Sequence, residues 1–151
     1  MMFNQDNIDY DDKISIIDNL CQFYTINHNL LIEHGKKITV EDRPVQTTVI
    51  SGLFESGMIV YTSSVDVWIK ENKNPNEAKY RQKWILYCLL RHFSGDWGKL
   101  CDMDALTNEL ALDPDEPQRI MSVYQFEDKT EFWIITEWNH EVTTVLFPTD
   151  Y

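Results

Sequence analysis

The chain has 151 residues, 43% of them hydrophobic, and 25 acids against 13 Lys and Arg give a formal net charge of -12. That length is the common size of one domain, and this apolar fraction can bury a core without disulfide or metal staples, so one domain over 1–151 is expected. The charge repels duplex DNA, RNA and anionic lipid over the distance that salt leaves unscreened, which argues against direct nucleic-acid binding; it suits solubility first and a basic partner surface second. Cys21, Cys88 and Cys101 are odd in number and lack CxxC spacing, as expected of reduced thiols on a core or helix face in the cytoplasm. The start, "MMFNQDNIDYDDK", has neither the basic nor the apolar segment of a signal peptide. No apolar run reaches the length of a membrane helix, so no membrane association is expected.

In chain order, Ile14, Ile17, Leu20, Cys21 and Tyr24 recur at three- and four-residue spacings and predict a first helix ending near Thr25. Asn27 is read as the cap of a second short helix carrying Leu30 and Leu31, with Gly35 as its stop. The β-branched run "VQTTVISGLF" from Val45, then "SGMIVYT", predicts a hairpin turning at Glu-Ser-Gly. Ser63 or Ser64 is read as the cap of a short helix with Val65, Trp68 and Ile69 inward. Asn74, Pro75 and Glu77 mark the start of a long helix that puts Tyr80, Trp84, Tyr87 and Cys88 near one face and gives its first half a basic outer side, Lys79, Arg81 and Lys83. Gly95 is its expected stop, with Trp97 anchored in the core.

Asp102 then caps a helix over "CDMDALTNELAL", with Pro114 beyond its end. Three β-rich runs, "RIMSVYQF", "TEFWIITEW" and "EVTTVLF", predict a C-terminal three-stranded meander, with Trp133 on the face opposite Phe132 and Ile134. The fold class is α+β, helices packed on a small antiparallel sheet that ends in this meander.

His92, the "SGDWG" of 94–98, Asp104, Asn108, Arg119, Ser122, Tyr124, "WIITE" at 133–137 and "VTTVLFPTDY" at 142–151 follow one another in a series that resembles a family of short plasmid and mobile-element proteins, often labelled as restriction-modification subunits. Residues 56–151 hold the family-like part, with a weaker likeness in "MIVYTSSVDVWI", and residues 1–55 are a divergent part with room for this member's own partner. Where the family tends to have an Asp-Arg pair, this chain has Asn139 and His140, which removes whatever chemistry that pair performs. The stretch between Ala111 and Arg119, with two prolines and three acids, also replaces a shorter link.

No complete catalytic motif appears. The histidines at 28, 34, 92 and 140 show no metal-ligand spacing, His92 near Cys88 and Cys101 lacks a frame for zinc, and no metal or cofactor is expected. His92 is read as bonding the last carbonyls of its helix. Asp96 is read as bonding turn amides and Asp104 as sitting in a first turn where the helix dipole favours it. "SGDWG" lacks the lysine and serine of a phosphate loop, and the aspartates around it repel phosphate.

Two function classes follow. The first is a non-enzymatic binding protein of a mobile element or phage that inhibits a host defence nucleic-acid enzyme, of anti-CRISPR or anti-restriction type, by acidic mimicry of DNA. Its partner is a host protein with a basic nucleic-acid surface, and its contacts are Asp102, Asp104, Glu109, Asp113, Asp115, Glu116, Glu127, Glu131, Trp138 and Glu141. The alternative is a small enzyme or ligand-binding domain with a pocket formed by His92, Asp96, Asp104, Asn108, Thr136 and Glu137. The first is preferred, because no nucleophile and base can be paired in the second. Tyr151 is expected to dock on the sheet.

Overall fold

A computed structural model describes residues 9–40 and 43–151 of the chain. The expectations drawn from residues 1–8 lie outside it. Helix α1 (Tyr10–Asn27) opens on Asp9, whose carboxylate accepts from the Asp11 amide at 3.0 Å, and runs past the expected end at Thr25. It stops where Asn29 takes a left-handed φ of 53°, which Asn tolerates better than most residues. The chain leaves as strand β1 (Leu31–Val40), not as the second short helix expected from Asn27 to Gly35. Alternation outweighs the local helix signals: Ile32 and His34 share one face of β1 and Leu31 and Glu33 the other, and strand β2 (Arg43–Ser51) pairs antiparallel with Leu31 opposite Ser51. Gly35 falls where this register shifts, between His34 and Lys37, and so belongs to an irregularity of the ladder rather than a helix stop.

The expected hairpin between β2 and the next run does not form. Ser51 bridges Glu55 in a tight loop, the Ile50 amide donates to the buried Ser56 hydroxyl at 2.8 Å, and the chain turns away at Gly57. Gly57 has φ +58°, and a Cβ there would meet the Glu141 carbonyl oxygen at 2.2 Å, so the close approach of the two segments requires glycine. Strand β3 (Met58–Tyr61) is aimed instead at the far end of the chain and lies parallel to β6 (Val142–Leu146).

Helix α2 (Ser63–Lys70) is capped by Thr62 rather than by Ser63 or Ser64. Thr62 and Ser64 both donate to the Asp150 carboxylate, at 2.7 and 2.8 Å, which ties the C-terminal 3-10 turn (Pro148–Asp150) to the start of α2. Helix α3 (Pro75–Phe93) begins as expected, Asn74 accepting from the Asn76 amide, and ends at Gly95 with φ +84°. Helix α4 (Asp102–Ala111) starts one residue earlier than the sequence suggests: Cys101 is the cap, without a side-chain bond, and Asp102 lies in the first turn.

Strands β4 (Ile120–Gln125) and β5 (Glu131–Thr136) complete a sheet of order β3-β6-β5-β4. The fold is α+β as expected: the last three strands form the antiparallel meander, and β3 adds a parallel edge. Register puts Tyr124, Phe132, Ile134 and Val145 on the face that helices cover, with Trp133 on the other. Trp68 and Trp84 meet Phe126 and Phe132 edge-on with centroids 4.7–5.1 Å apart, a spacing at which ring quadrupoles attract.

The outer edge of β4 is occupied twice. Val123 exchanges bonds with the Trp97 carbonyl and the Lys99 amide, and the buried Asn108 takes both free groups of Met121, donating to its carbonyl at 2.6 Å and accepting from its amide at 3.1 Å. Asn108 thus replaces a missing strand. Asn108→Ala leaves two backbone groups without partners and is expected to lower stability by about 2 kcal/mol. A urea titration checks this as a lower midpoint at unchanged slope.

Candidate functional site

The most concentrated polar chemistry lies inside the core. His92, on the last turn of α3, is fully buried, with Ser122 of β4 against Nδ1 and Thr136 of β5 3.0 Å from Nε2. Thr136 Oγ1 lies 2.8 Å from Thr143 Oγ1 on β6, and Thr143 donates to the Ser56 carbonyl at 2.7 Å. Proton bookkeeping gives the chain one direction. Thr143 spends its only proton on Ser56, so Thr136 donates to Thr143, accepts from His92 Nε2–H, and leaves Nδ1 to accept from Ser122. Every member is satisfied by a neutral imidazole, and burial pushes the His92 pKa down to about 3.

This corrects the expectation that His92 bonds helix carbonyls: its partners lie on β4 and β5, 30 and 44 residues further along the chain and across the core. Chemically, the arrangement can hold register and little else. His92, Ser122, Thr136 and Thr143 are all 0% exposed, so no substrate reaches the hydroxyls, and no carboxylate bonds the imidazole.

The other members of the alternative pocket are not gathered there. Asp96 accepts from Arg91 at 2.8 and 3.2 Å, from Tyr24 at 3.1 Å and from the Gly98 amide at 3.2 Å. Burial works against its charge, but the bond and charge of Arg91, with Gly98 and Tyr24, prevail and hold its pKa below the ordinary carboxylate value. Asn108 serves Met121, Asp104 is exposed on α4, and Glu137 lies 3.5 Å from Arg119 at the surface. The "SGDWG" segment is a joint: Gly95 ends α3, Asp96 locks Arg91 and Tyr24, and the buried Trp97 donates to Glu109 at 3.0 Å. Among the described residues no three His, Cys, Asp or Glu side chains come together as a metal ion would need.

The acidic contacts divide by place. Asp102, Asp104, Asp113, Asp115 and Glu116 are exposed along α4 and the link after it, and among the described residues none is in an ion pair. Glu109 belongs to Trp97, Glu131 to the Trp133 indole, and Glu127 to Lys13 at 2.9 Å and Tyr80 at 2.6 Å. The register sets the turn carrying Trp138 and Glu141 at the end of the meander where β4 begins, and the turn carrying Glu127 at the opposite end. Trp138 is 60% exposed. Tyr151 is also largely exposed and reaches the sheet by its ring, edge-on to Trp133 at 5.7 Å, and by a bond from Arg119.

Sequence reasoning passed over three apolar side chains on α4. Met103, Leu106 and Leu110 are 75, 55 and 67% exposed. Their spacing puts them on one side of the helix, and it is the solvent side, because Asn108 and Ala111 are the residues that α4 buries. The signal was present as a helical apolar stripe, which is read by default as a buried face.

The fold is thus α+β, with a closed internal polar chain and, on the solvent side of α4, acidic carboxylates around an apolar stripe. Compared with protein-family models, curated proteins and solved structures, the chain matches none.

Proposed function

We propose that the chain is a non-enzymatic binding protein of a mobile element or phage that inhibits a host defence nucleic-acid enzyme, of anti-CRISPR or anti-restriction type, in the cytoplasm. The single observation that carries this reading is the solvent side of α4: Met103, Leu106 and Leu110 exposed in a stripe, with Asp102 and Asp104 at one end and Asp113, Asp115 and Glu116 at the other, none in an ion pair among the described residues. Between residues 100 and 118 there are six acids and no base.

Such a surface fits a groove built for phosphates. Free carboxylates speed encounter with a basic wall, and a desolvated apolar centre slows departure. The likeness of the motif series to mobile-element proteins supplies the biological setting. The outer side of α1 also exposes Ile16, Phe23 and Ile26, but residues 19–27 around Phe23 and Ile26 carry no charge, and the exposed Asp11, Asp12 and Asp18 lie toward the start of the helix. No helix among the described residues is long and apolar enough to cross a membrane.

Capture from host lysate at low and at about 0.5 M salt tests the reading, since exposed electrostatic contacts weaken strongly over that range. The expected result is a nuclease or CRISPR effector held at low salt and released at high salt. Recovery of no such enzyme, or of one whose retention ignores salt, contradicts it.

A further inference from the structure

A second feature of the fold is independent of α4. Between α3, the edge strand β3 and the β1–β2 hairpin lies a cavity of about 380 Å³. This lies within the range of small-molecule sites, roughly 300–1,000 Å³. Ile32, Ile59, Leu86 and Leu89 give it an apolar body. Lys79 and Lys83 stand one helical turn apart at its α3 side with Gln82 beside them, and among the described residues no carboxylate lines it. In a chain of net charge -12 that lining is a local inversion of sign.

The two lysines are not equivalent. Lys83 lies 2.6 Å from Asp18, so its charge is compensated. Lys79 is exposed and forms no ion pair among the described residues. One uncompensated ammonium beside an apolar hollow matches one negative charge on an aliphatic body. A polyanion would meet the acidic field of the whole chain, and a cation would meet the lysines.

We infer that this cavity binds a small aliphatic monocarboxylate, its head on Lys79 with Gln82 and its tail along Ile59, Leu86 and Leu89. The fit is one of sign and polarity: a charge-assisted bond at the mouth fixes orientation, and tail burial supplies the hydrophobic term.

The test is a titration of the full chain with octanoate, followed by backbone amide NMR shifts, with octanol as the uncharged control. Saturable shifts centred on residues 59–61 and 82–89 are expected, with octanol at least about tenfold weaker and Lys79→Gln weakening octanoate by a similar factor, the size of one charge-assisted hydrogen bond. Because Lys79 is exposed, the variant keeps the wild-type unfolding midpoint. The inference fails if octanoate does not saturate, if octanol binds equally well, if Lys79→Gln binds octanoate undiminished, or if the shifts fall elsewhere.

Discussion

His92→Ala is expected to lower the unfolding free energy by about 3–5 kcal/mol, the combined cost of a large-to-small cavity and of two buried hydroxyls left without their ring partner. The second half of that cost depends on direction. Ser122 loses its acceptor and Thr136 its donor, and neither can turn to water, since both are 0% exposed. The same residue sets a pH response. The folded chain holds His92 near a pKa of about 3 against the ordinary 6.5, so between those values the unfolded chain binds a proton that the folded one refuses. Stability is whole above pH 6.5 and falls below it by about 1.4 kcal/mol per pH unit, roughly 2 kcal/mol by pH 5.

Asp96 and Glu127 act in a lower window. Burial opposes the charge of both, but Arg91 beside Asp96 and the Tyr80 bond to Glu127 leave their pKa values depressed, so the stability they add is present above about pH 4 and lost as pH falls further. Urea midpoints of the wild type and of His92→Gln, which has no proton to take up, separate the two windows. The variant loses the slope between about pH 6.5 and 5 and keeps the acid collapse below it. An unchanged slope in the variant would assign the effect to other groups.

Gly98→Ala is the second large effect, expected to cost about 3 kcal/mol or more. Gly98 has φ +72°, in the region where a side chain is strained by about 1–2 kcal/mol. The larger part is contact: a Cβ there would lie 2.0 Å from the Val123 carbonyl oxygen and 2.8 Å from the Tyr124 ring. Those atoms are a strand backbone and a buried aromatic, so neither can give way cheaply. The substitution pushes residues 97–99 off the edge of β4, breaking the bonds from Val123 to the Trp97 carbonyl and from Lys99 to Val123. Calorimetry reads the loss as a lower melting temperature. Gly95→Ala is milder, because the atom its Cβ would meet is the far end of the flexible and exposed Leu53 side chain at 2.9 Å. Equal losses at the two positions would show that φ, not close approach, governs.

The parts of this fold legible in the sequence were those where local signals agree with each other. Asn74 and Pro75 start α3, Gly95 stops it, and three runs rich in β-branched and aromatic residues mark β4 to β6. Errors arose where local and distant preferences compete. Residues 27–35 carry a cap and a glycine stop, yet Ile32 and Ile50 meet across a strand pair, and that pairing prevails. Sequence proximity pairs the 58–61 run with β2, whereas its partner lies more than eighty residues away, a pairing visible only once α2, α3 and α4 have formed the crossover.

At the site, Ser122, Thr136 and Thr143 were polar residues at inward positions of three adjacent strands, a pattern that announces a buried polar chain only when the register is known. Which acids are free was equally invisible. Glu109, Glu127 and Asp104 look alike in a sequence, but the first two are bound to Trp97 and to Lys13, and Asp104 is not.

The most direct test of the central claim replaces Met103, Leu106 and Leu110 together by serine and compares capture and inhibition of the host nucleic-acid enzyme with the wild type. All three side chains are exposed, so the variant keeps the wild-type fold and melting behaviour. The account predicts that it neither captures the enzyme nor protects DNA from it. A folded variant that captures and inhibits as the wild type does would show that the α4 surface is not the contact.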